Sequence, residues 1–236
     1  MNKTFTYKIN KIEKTHDVVL LNIVPERGEI FDFKPGQFVI LAIYDKKGNV
    51  WQQRPFSICS STLNKEYLQL AIKVHGEFTK KITTLKIKDS VGVSGPYGFF
   101  TFNETKMKDI VFLAGGIGIT PFMSAIRYVC EKKLSNKLTL LYSNKTKEDI
   151  VFFEELKSIS QEYKNIQTIF VLTDDAPRLW EHEKGRIDKI MLNKYCSPFK
   201  EKHFLLCGPL GFMESLTAYL EAKDVSKNYI EMERFK

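Results

Sequence analysis

The sequence contains no apolar run approaching the ~20 residues that a membrane-spanning helix needs, so no membrane span is expected. Its opening residues, MNKTFTYKINKIEKTHD, alternate polar and apolar side chains and lack the apolar centre of a secretory leader, which makes a cytoplasmic location the expectation. Cysteine is sparse: Cys59, Cys130, Cys196 and Cys207 form no Cys-x-x-Cys pair, and their irregular gaps argue against a structural zinc site or an iron–sulfur cluster. The four histidines, His16, His75, His182 and His203, include no pair at helical metal-ligand spacing, so no metal site is expected. Lys and Arg number 36 against 28 Asp and Glu, a net charge of +8, but they are dispersed and lack the clustering with aromatics that marks a nucleic-acid surface. Residues 1–103 hold 15 Lys and Arg against 9 Asp and Glu, so the front of the chain carries most of the positive excess. The dispersed lysines read first as a solvated surface, and an acidic protein partner is the functional alternative.

What the chain does have is apolar material, with 43% hydrophobic and 13% aromatic residues, enough for a sizeable core. In the first hundred residues it comes in short, β-branched and aromatic segments: TFTYKINKIEKT, HDVVLLNIVP, GQFVILAIYD, VWQQRPFSICSS, YLQLAIKV and DSVGVSGPYG. Turn residues at Pro25, Gly28, Pro35, Gly36, Gly48 and Asn64 separate them. Six such strands predict an antiparallel β-barrel, with one brief helix over 78–84. Beyond about Phe102 the rhythm changes. DIVFLA, KLTLLYS, IQTIFVLT and KHFLLCG are continuous apolar runs, as strands covered on both faces require. Helical segments alternate with them: the one opening at Thr120 and Pro121, then IVFFEELKSISQEY, GRIDKIMLNKY and PLGFMESLTAYLEAK, with NYIEMERF as a last strand. Strand–helix alternation predicts an open parallel sheet. The domains are therefore expected at 1–103 (barrel) and 104–236 (α/β).

The first of the buried runs ends in Gly115, Gly116 and Gly118, and Thr120 is placed to cap a helix that has Pro121 at its first position. Glycines at the carboxyl end of a parallel strand let peptide N–H groups approach an anion, and the helix directs its positive end there. Taken alone, the cluster reads equally well as a tight turn. A second turn of the same kind, Cys207-Gly208-Pro209, ends a later strand, and two such turns on one sheet edge make a slot. Cys207 itself reads as a buried thiol, since no histidine stands near it in sequence to activate it.

Four motifs now stand in order: RPFS (54–57), GPYG (95–98), GGIGITP (115–121) and CGPLGFM (207–213). With KPGQF, GEFT, YSNKTKEDIVFFEEL and GRI between them, the chain resembles the ferredoxin–NADP⁺ reductase-like flavoenzymes over nearly its whole length. The resemblance implies a six-stranded antiparallel FAD barrel followed by a Rossmann-like parallel α/β domain for NAD(P). It implies that Arg54 neutralises the FAD pyrophosphate, that Pro55 and Phe56 pack along the flavin and ribityl chain, and that Ser57 stands near flavin N5. The backbone of Ala71, Ile72 and Lys73 would meet the ring, and Gly76 and Thr79 would open a short helix toward the phosphates. Gly115, Gly116, Gly118, Thr120 and Pro121 would hold the nicotinamide dinucleotide, with Cys207, Gly208, Pro209 and Met213 walling the nicotinamide. Plant-type members of the family end in an acidic residue, a spacer and an aromatic that stacks on the flavin, whereas many bacterial relatives use their C-termini differently. Here Glu233 would relay a proton and Phe235 would stack, with phenylalanine in place of tyrosine and Lys236 following.

The function so implied is hydride transfer from NADPH or NADH to FAD, with electrons then passed to a separate acceptor, an acidic carrier of ferredoxin or flavodoxin type. The alternatives are a flavin reductase serving a small diffusible acceptor and a non-catalytic flavin- or nucleotide-binding regulatory subunit. Ser143 and Lys145, with Lys147 and no carboxylate before Glu148, suit the 2′-phosphate of NADPH.

Overall fold

The computed structural model describes residues 4–174 and 176–234. It divides into two compact units, one running through Phe102 and including Thr120–Glu131, the other made of Asn103–Ile119 and Lys132–Lys236.

The first unit contains β1 (Phe5–Thr15), β2 (Val18–Pro25), β3 (Phe38–Tyr44), β4 (Val50–Ser57), β5 (Leu68–Lys73), α1 (Glu77–Ile82) and β6 (Ser90–Tyr97). The strands lie in the order β4-β3-β6-β1-β2-β5, each pair antiparallel. Period-two alternation sends Tyr7, Ile9, Leu21, Ile23, Val39, Leu41, Ile43, Leu70, Ile72, Val91 and Val93 inward. The outer strands meet just past β4, where Ile58 bridges Leu70 and the Cys59 N–H donates to the Gln69 carbonyl at 2.8 Å. The sheet thus closes into the expected barrel, and α1 drops Phe78 and Ile82 into its core.

Helix α2 (Thr120–Glu131) belongs to this unit, although β7 (Asp109–Gly115) precedes it in sequence. A buried polar chain accounts for that. Arg127 donates from Nη1 to the Cys59 carbonyl at 2.8 Å and to Gln69 Oε1 at 2.7 Å, and Gln69 Nε2 donates to Asn22 Oδ1 at 2.9 Å. Phe122 packs on Phe100 and Tyr128 on Phe102. A single cut near Asn103 assigns α2 to the rear of the chain, because sequence rhythm cannot register side-chain contacts made across sixty residues. Thr120 is not a cap. The chain leaves β7 through a 3-10 turn, Gly116–Ile119, and runs straight on, so Thr120 is the first helical residue and Pro121 the second. The 3-10 turn joins α2 directly, with no residue between Ile119 and Thr120 to act as an extended cap.

The second unit adds β8 (Lys137–Asn144), α3 (Phe153–Glu162), β9 (Ile166–Leu172), β10 (Glu183–Lys184), α4 (Lys189–Cys196), β11 (His203–Cys207), α5 (Leu210–Glu221) and β12 (Ile230–Glu233). The parallel sheet runs β10-β9-β8-β7-β11-β12. One face buries Val111, Leu113, Leu141, Val171, Phe204 and Leu206 against α4 and α5, while Phe153 of α3 meets Phe170 on the other. Asp188 caps α4, accepting from Ile190 and Met191 N–H at 2.9 and 3.0 Å. The two-residue strand β10 has no sequence signature and was not foreseen. From β7 the sheet grows outward through β8 and β9 on one side and through β11 and β12 on the other. The order therefore reverses between β7 and β11, which is where open α/β sheets bind ligands.

Candidate functional site

The parallel register brings the rear motifs onto one rim. Gly115 pairs with Ser143 of β8, Ala114 with Cys207 of β11, and Cys207 with Glu233 of β12. The two glycine turns touch. A Cβ on Gly118 would lie 2.1 Å from the Cys207 carbonyl oxygen, and one on Gly115 would lie 2.9 Å from Pro209 Cδ. Gly208, at φ +158°, would put its Cβ 3.0 Å from the Gly115 nitrogen. Only hydrogen fits at these three positions, so their peptide groups line the carboxyl edge of β7 and β11 directly. Thr120 and Pro121 are buried where α2 begins, and Pro209 is exposed. Met213 is only 1% exposed and packs in the core with Leu216 and Leu220.

The neighbouring strand end carries a group that sequence reading missed. Asp174, just beyond β9, donates its N–H to the Lys145 carbonyl at 3.1 Å. Thr173 Oγ1 donates to Asp174 Oδ1 at 2.9 Å, and the Thr173 N–H donates to the Asn144 carbonyl at 2.9 Å. Ser143 and Lys145, chosen for a phosphate, therefore share their rim with a carboxylate thirty residues away in sequence.

Burial governs the chemistry of the two candidate reacting groups here. It pushes the Cys207 thiol well above its ordinary range, with the Glu233 charge adding to the effect. It also raises the Glu233 carboxyl. Cys207 is thus a protonated thiol at neutral pH, and Glu233 keeps its proton longer than a solvated carboxyl would. Phe235 lies outside the described residues.

In the first unit the flavin motifs lie on the strands that close the barrel. Pro55 and Arg54 are exposed on β4, Phe56 is half-buried and Ser57 is buried. Arg54 donates to the Gln53 carbonyl at 2.7 Å and lies over the Phe78 ring, 5.6 Å from its centroid. Phe56 is near-parallel to Phe78 at 6.0 Å. On β5 the peptide groups alternate sides. The Gln69 carbonyl accepts from Cys59 and the Val74 N–H donates to the Asp17 carbonyl, so Ala71 and Lys73 turn toward β4 and Ile72 toward β2. Ile72 therefore spends its peptide groups on the barrel, a correction to its expected contact with the ring. The Lys73 ammonium pairs with Asp17 at 2.8 Å, leaving its backbone as the available part. Gly76, at φ +83°, precedes α1 with open space about it. The Thr79 hydroxyl is engaged locally, accepting from the His75 N–H at 2.6 Å and donating to the His75 carbonyl at 2.7 Å.

Comparison with known proteins agrees with this layout. Residues 4–101 match the FAD-binding domain and residues 112–217 the oxidoreductase NAD-binding domain. The chain is 30% identical to the sulfhydrogenase 1 subunit gamma of Pyrococcus furiosus, over 92% of this chain and 73% of that protein. It is 26% identical to the reductase component of propane 2-monooxygenase from Mycolicibacterium goodii, over 94% of this chain, and spans 64% of that relative's length. Its fold matches the flavohem-like FAD/NAD-binding domain of nitric oxide dioxygenase from Vibrio cholerae with a TM-score of 0.88, at 21% identity, covering 100% of this chain and 99% of that one. The chain belongs to the ferredoxin–NADP⁺ reductase-like flavoenzyme family, with an FAD-binding barrel and an NAD-binding α/β half.

Proposed function

We propose that this chain oxidises NADH, passes the hydride to FAD and delivers the electrons to a separate acidic carrier protein of ferredoxin or flavodoxin type. The observation that carries the reading is the slot at the β7/β11 reversal, where three glycines admit peptide groups to a dinucleotide, while β4 of the same chain exposes Arg54 and Pro55 and β5 turns the peptide groups of Ala71 and Lys73 away from β2. FAD, when bound, supplies the hydride-accepting ring and the one- or two-electron release.

The residues fit that cofactor. Arg54 is exposed, with a guanidinium free to turn from a neutral carbonyl to a pyrophosphate. Ala71 and Lys73 offer peptide groups on the β4 side, and Ser57 and Phe56 stand beside them. Gly115, Gly116 and Gly118 would hold the nicotinamide dinucleotide, and Thr120 follows them at the start of α2. Cys207 stays a neutral thiol and shapes the pocket without covalent chemistry. The Glu233 carboxyl, whose proton affinity burial raises, stands beside it on the neighbouring strand.

The choice of NADH over NADPH rests on Asp174. A carboxylate at this strand end accepts from a ribose 2′-hydroxyl and repels a 2′-phosphate. Asp174→Ala should shift the NADPH-to-NADH ratio of kcat/KM upward by about tenfold (~1.4 kcal/mol); an unchanged ratio would return the preference to Lys145 and Lys147. A separate acceptor is consistent with relatives named as a reductase component and a gamma subunit. The basic front of the chain suits an acidic surface. Among the described residues no helix is long and apolar enough to cross a membrane, and a cytoplasmic location is part of the proposal.

The decisive experiment is anaerobic. Protein loaded with FAD is mixed with NADH or NADPH and its flavin absorbance followed. Bleaching, faster with NADH, is the expected result. A flavin that binds but stays oxidised would point to the regulatory-subunit alternative, and failure to take up any flavin would overturn the reading.

A further inference from the structure

We propose that Trp51 stacks on the adenine ring of FAD and makes this barrel select FAD over FMN. The inference rests on the flavin reading above and extends it to a residue that none of the matched motifs contains.

Three observations converge on Trp51. First, the β3–β4 ladder slips at this point: Ile43 pairs with Gln52 but Tyr44 pairs with Val50, so Trp51 is the extra residue of a β-bulge. A bulge re-aims one side chain out of the strand's alternation. Second, its effect is to put Trp51 on the face of Arg54 and Phe56. The indole lies parallel to the Phe78 ring, with centroids 6.4 Å apart and 8° between the planes. Phe78 also underlies Arg54 at 5.6 Å and Phe56 at 6.0 Å, so one buried ring is the floor for all three. Third, Trp51 remains 36% exposed beside Val50 at 50%, a large aromatic surface left in solvent near the start of β4, the end strand in the sheet order.

The strand works as a ruler. Ser57 and Phe56 mark the flavin end and Arg54 the pyrophosphate. Trp51 stands three residues further on, across the bulge, at the far end of the Phe78 floor. A flavin dinucleotide laid in the same direction presents, in order, its ring system, its diphosphate, a ribose and adenine. The flat exposed indole comes where the adenine falls. FMN ends at its phosphate and never reaches it. Base-on-aromatic stacking is worth ~1–3 kcal/mol per base, which is about 5- to 150-fold in affinity.

The test measures binding, not turnover. Apoprotein of the wild type, Trp51→Phe, Trp51→Leu and Trp51→Ala is titrated calorimetrically with FAD and with FMN, and each variant's flavin-free melting temperature is recorded. Trp51→Ala should lose at least fivefold in FAD affinity and leave FMN affinity unchanged. Trp51→Phe should keep most of the FAD affinity, while Trp51→Leu, apolar but not planar, should not. Equal losses for both flavins, or a Trp51→Leu variant that binds FAD like wild type, would overturn the stacking role. A wild-type protein that takes up neither flavin would overturn the flavin reading itself, and this proposal with it. An Ala variant that melts early is decided by the Phe and Leu pair, which differ in planarity at similar bulk.

Discussion

Replacing Gly118 with alanine tests the contact on which the dinucleotide slot depends. The added Cβ would stand 2.1 Å from the Cys207 carbonyl oxygen, 2.5 Å from its carbon and 2.9 Å from the Gly208 nitrogen. Ordinary contact begins at 3.4 Å, so the turn must retreat by about 3.4 − 2.1 = 1.3 Å. Every atom it meets is backbone, and β11 is tied to β7 in register through Cys207 and Ala114, so neither side yields cheaply. The cost belongs at the top of the overpacking range, ~3 kcal/mol. For a chain of this length that is a fall in melting temperature of about 6–12 °C. Two other glycines calibrate the result. Gly211 lies inside α5 with no atom within 4 Å of an added Cβ, so Gly211→Ala should gain ~0.5–1 kcal/mol. Gly116 also faces open space but sits at φ +54°, so Gly116→Ala should lose ~1 kcal/mol through backbone strain alone. The assay is thermal unfolding of all three beside wild type, followed by NADH titration of those that fold. Gly118→Ala should be the least stable and the weakest binder. If it melts as wild type does, the two turns do not touch and the argument for the slot fails.

Two further outcomes can be checked in the same preparations. Burial pushes the Cys196 thiol up to about 12 and raises Cys207 as well. Both groups keep protons in the folded chain that the unfolded chain releases near pH ~8.5, so their contribution is full below that pH and is lost as pH rises, by up to ~1.4 kcal/mol per pH unit for each thiol. Urea unfolding across the alkaline range should show this slope, and Cys196→Ala should flatten it; an identical slope in that variant would refute the assignment. Arg127→Ala removes the donor to the Cys59 carbonyl and Gln69 Oε1. Leaving buried acceptors unmet should cost ~2–3 kcal/mol and speed amide exchange in α2, whereas unchanged exchange there would show that the helix is held by other contacts.

The match between sequence and structure is closest where the signal is local. Alternation in TYKINKI, LAIKV and VGVSG placed the barrel strands, because every second residue must face the core whatever the strand pairs with. DIVFLA, KLTLLYS and HFLLC read as parallel strands because both of their faces are covered. The glycine turns at 115–118 and at Gly208 were visible because each ends an apolar run and opens a helix. RPFS and CGPLGFM carried the resemblance, which a match to FAD- and NAD-binding domains supports.

What the sequence determined by itself, then, is which segments are strand or helix, which of their faces are apolar, and where glycine frees the backbone; each depends on a residue and its near neighbours. What only the tertiary structure decided is who meets whom. A one-residue slip against Tyr44 turns Trp51 onto the face of Arg54, hydrogen bonds from Arg127 bring α2 to the barrel, and the β8–β9 register sets Asp174 beside Lys145. The peptide groups of Ile72 go to β2 because the ladder's phase is fixed at Gln69 and Val74. Such relations arise from pairing between distant stretches, where one residue of register reverses a side chain's direction, and no local preference encodes that choice.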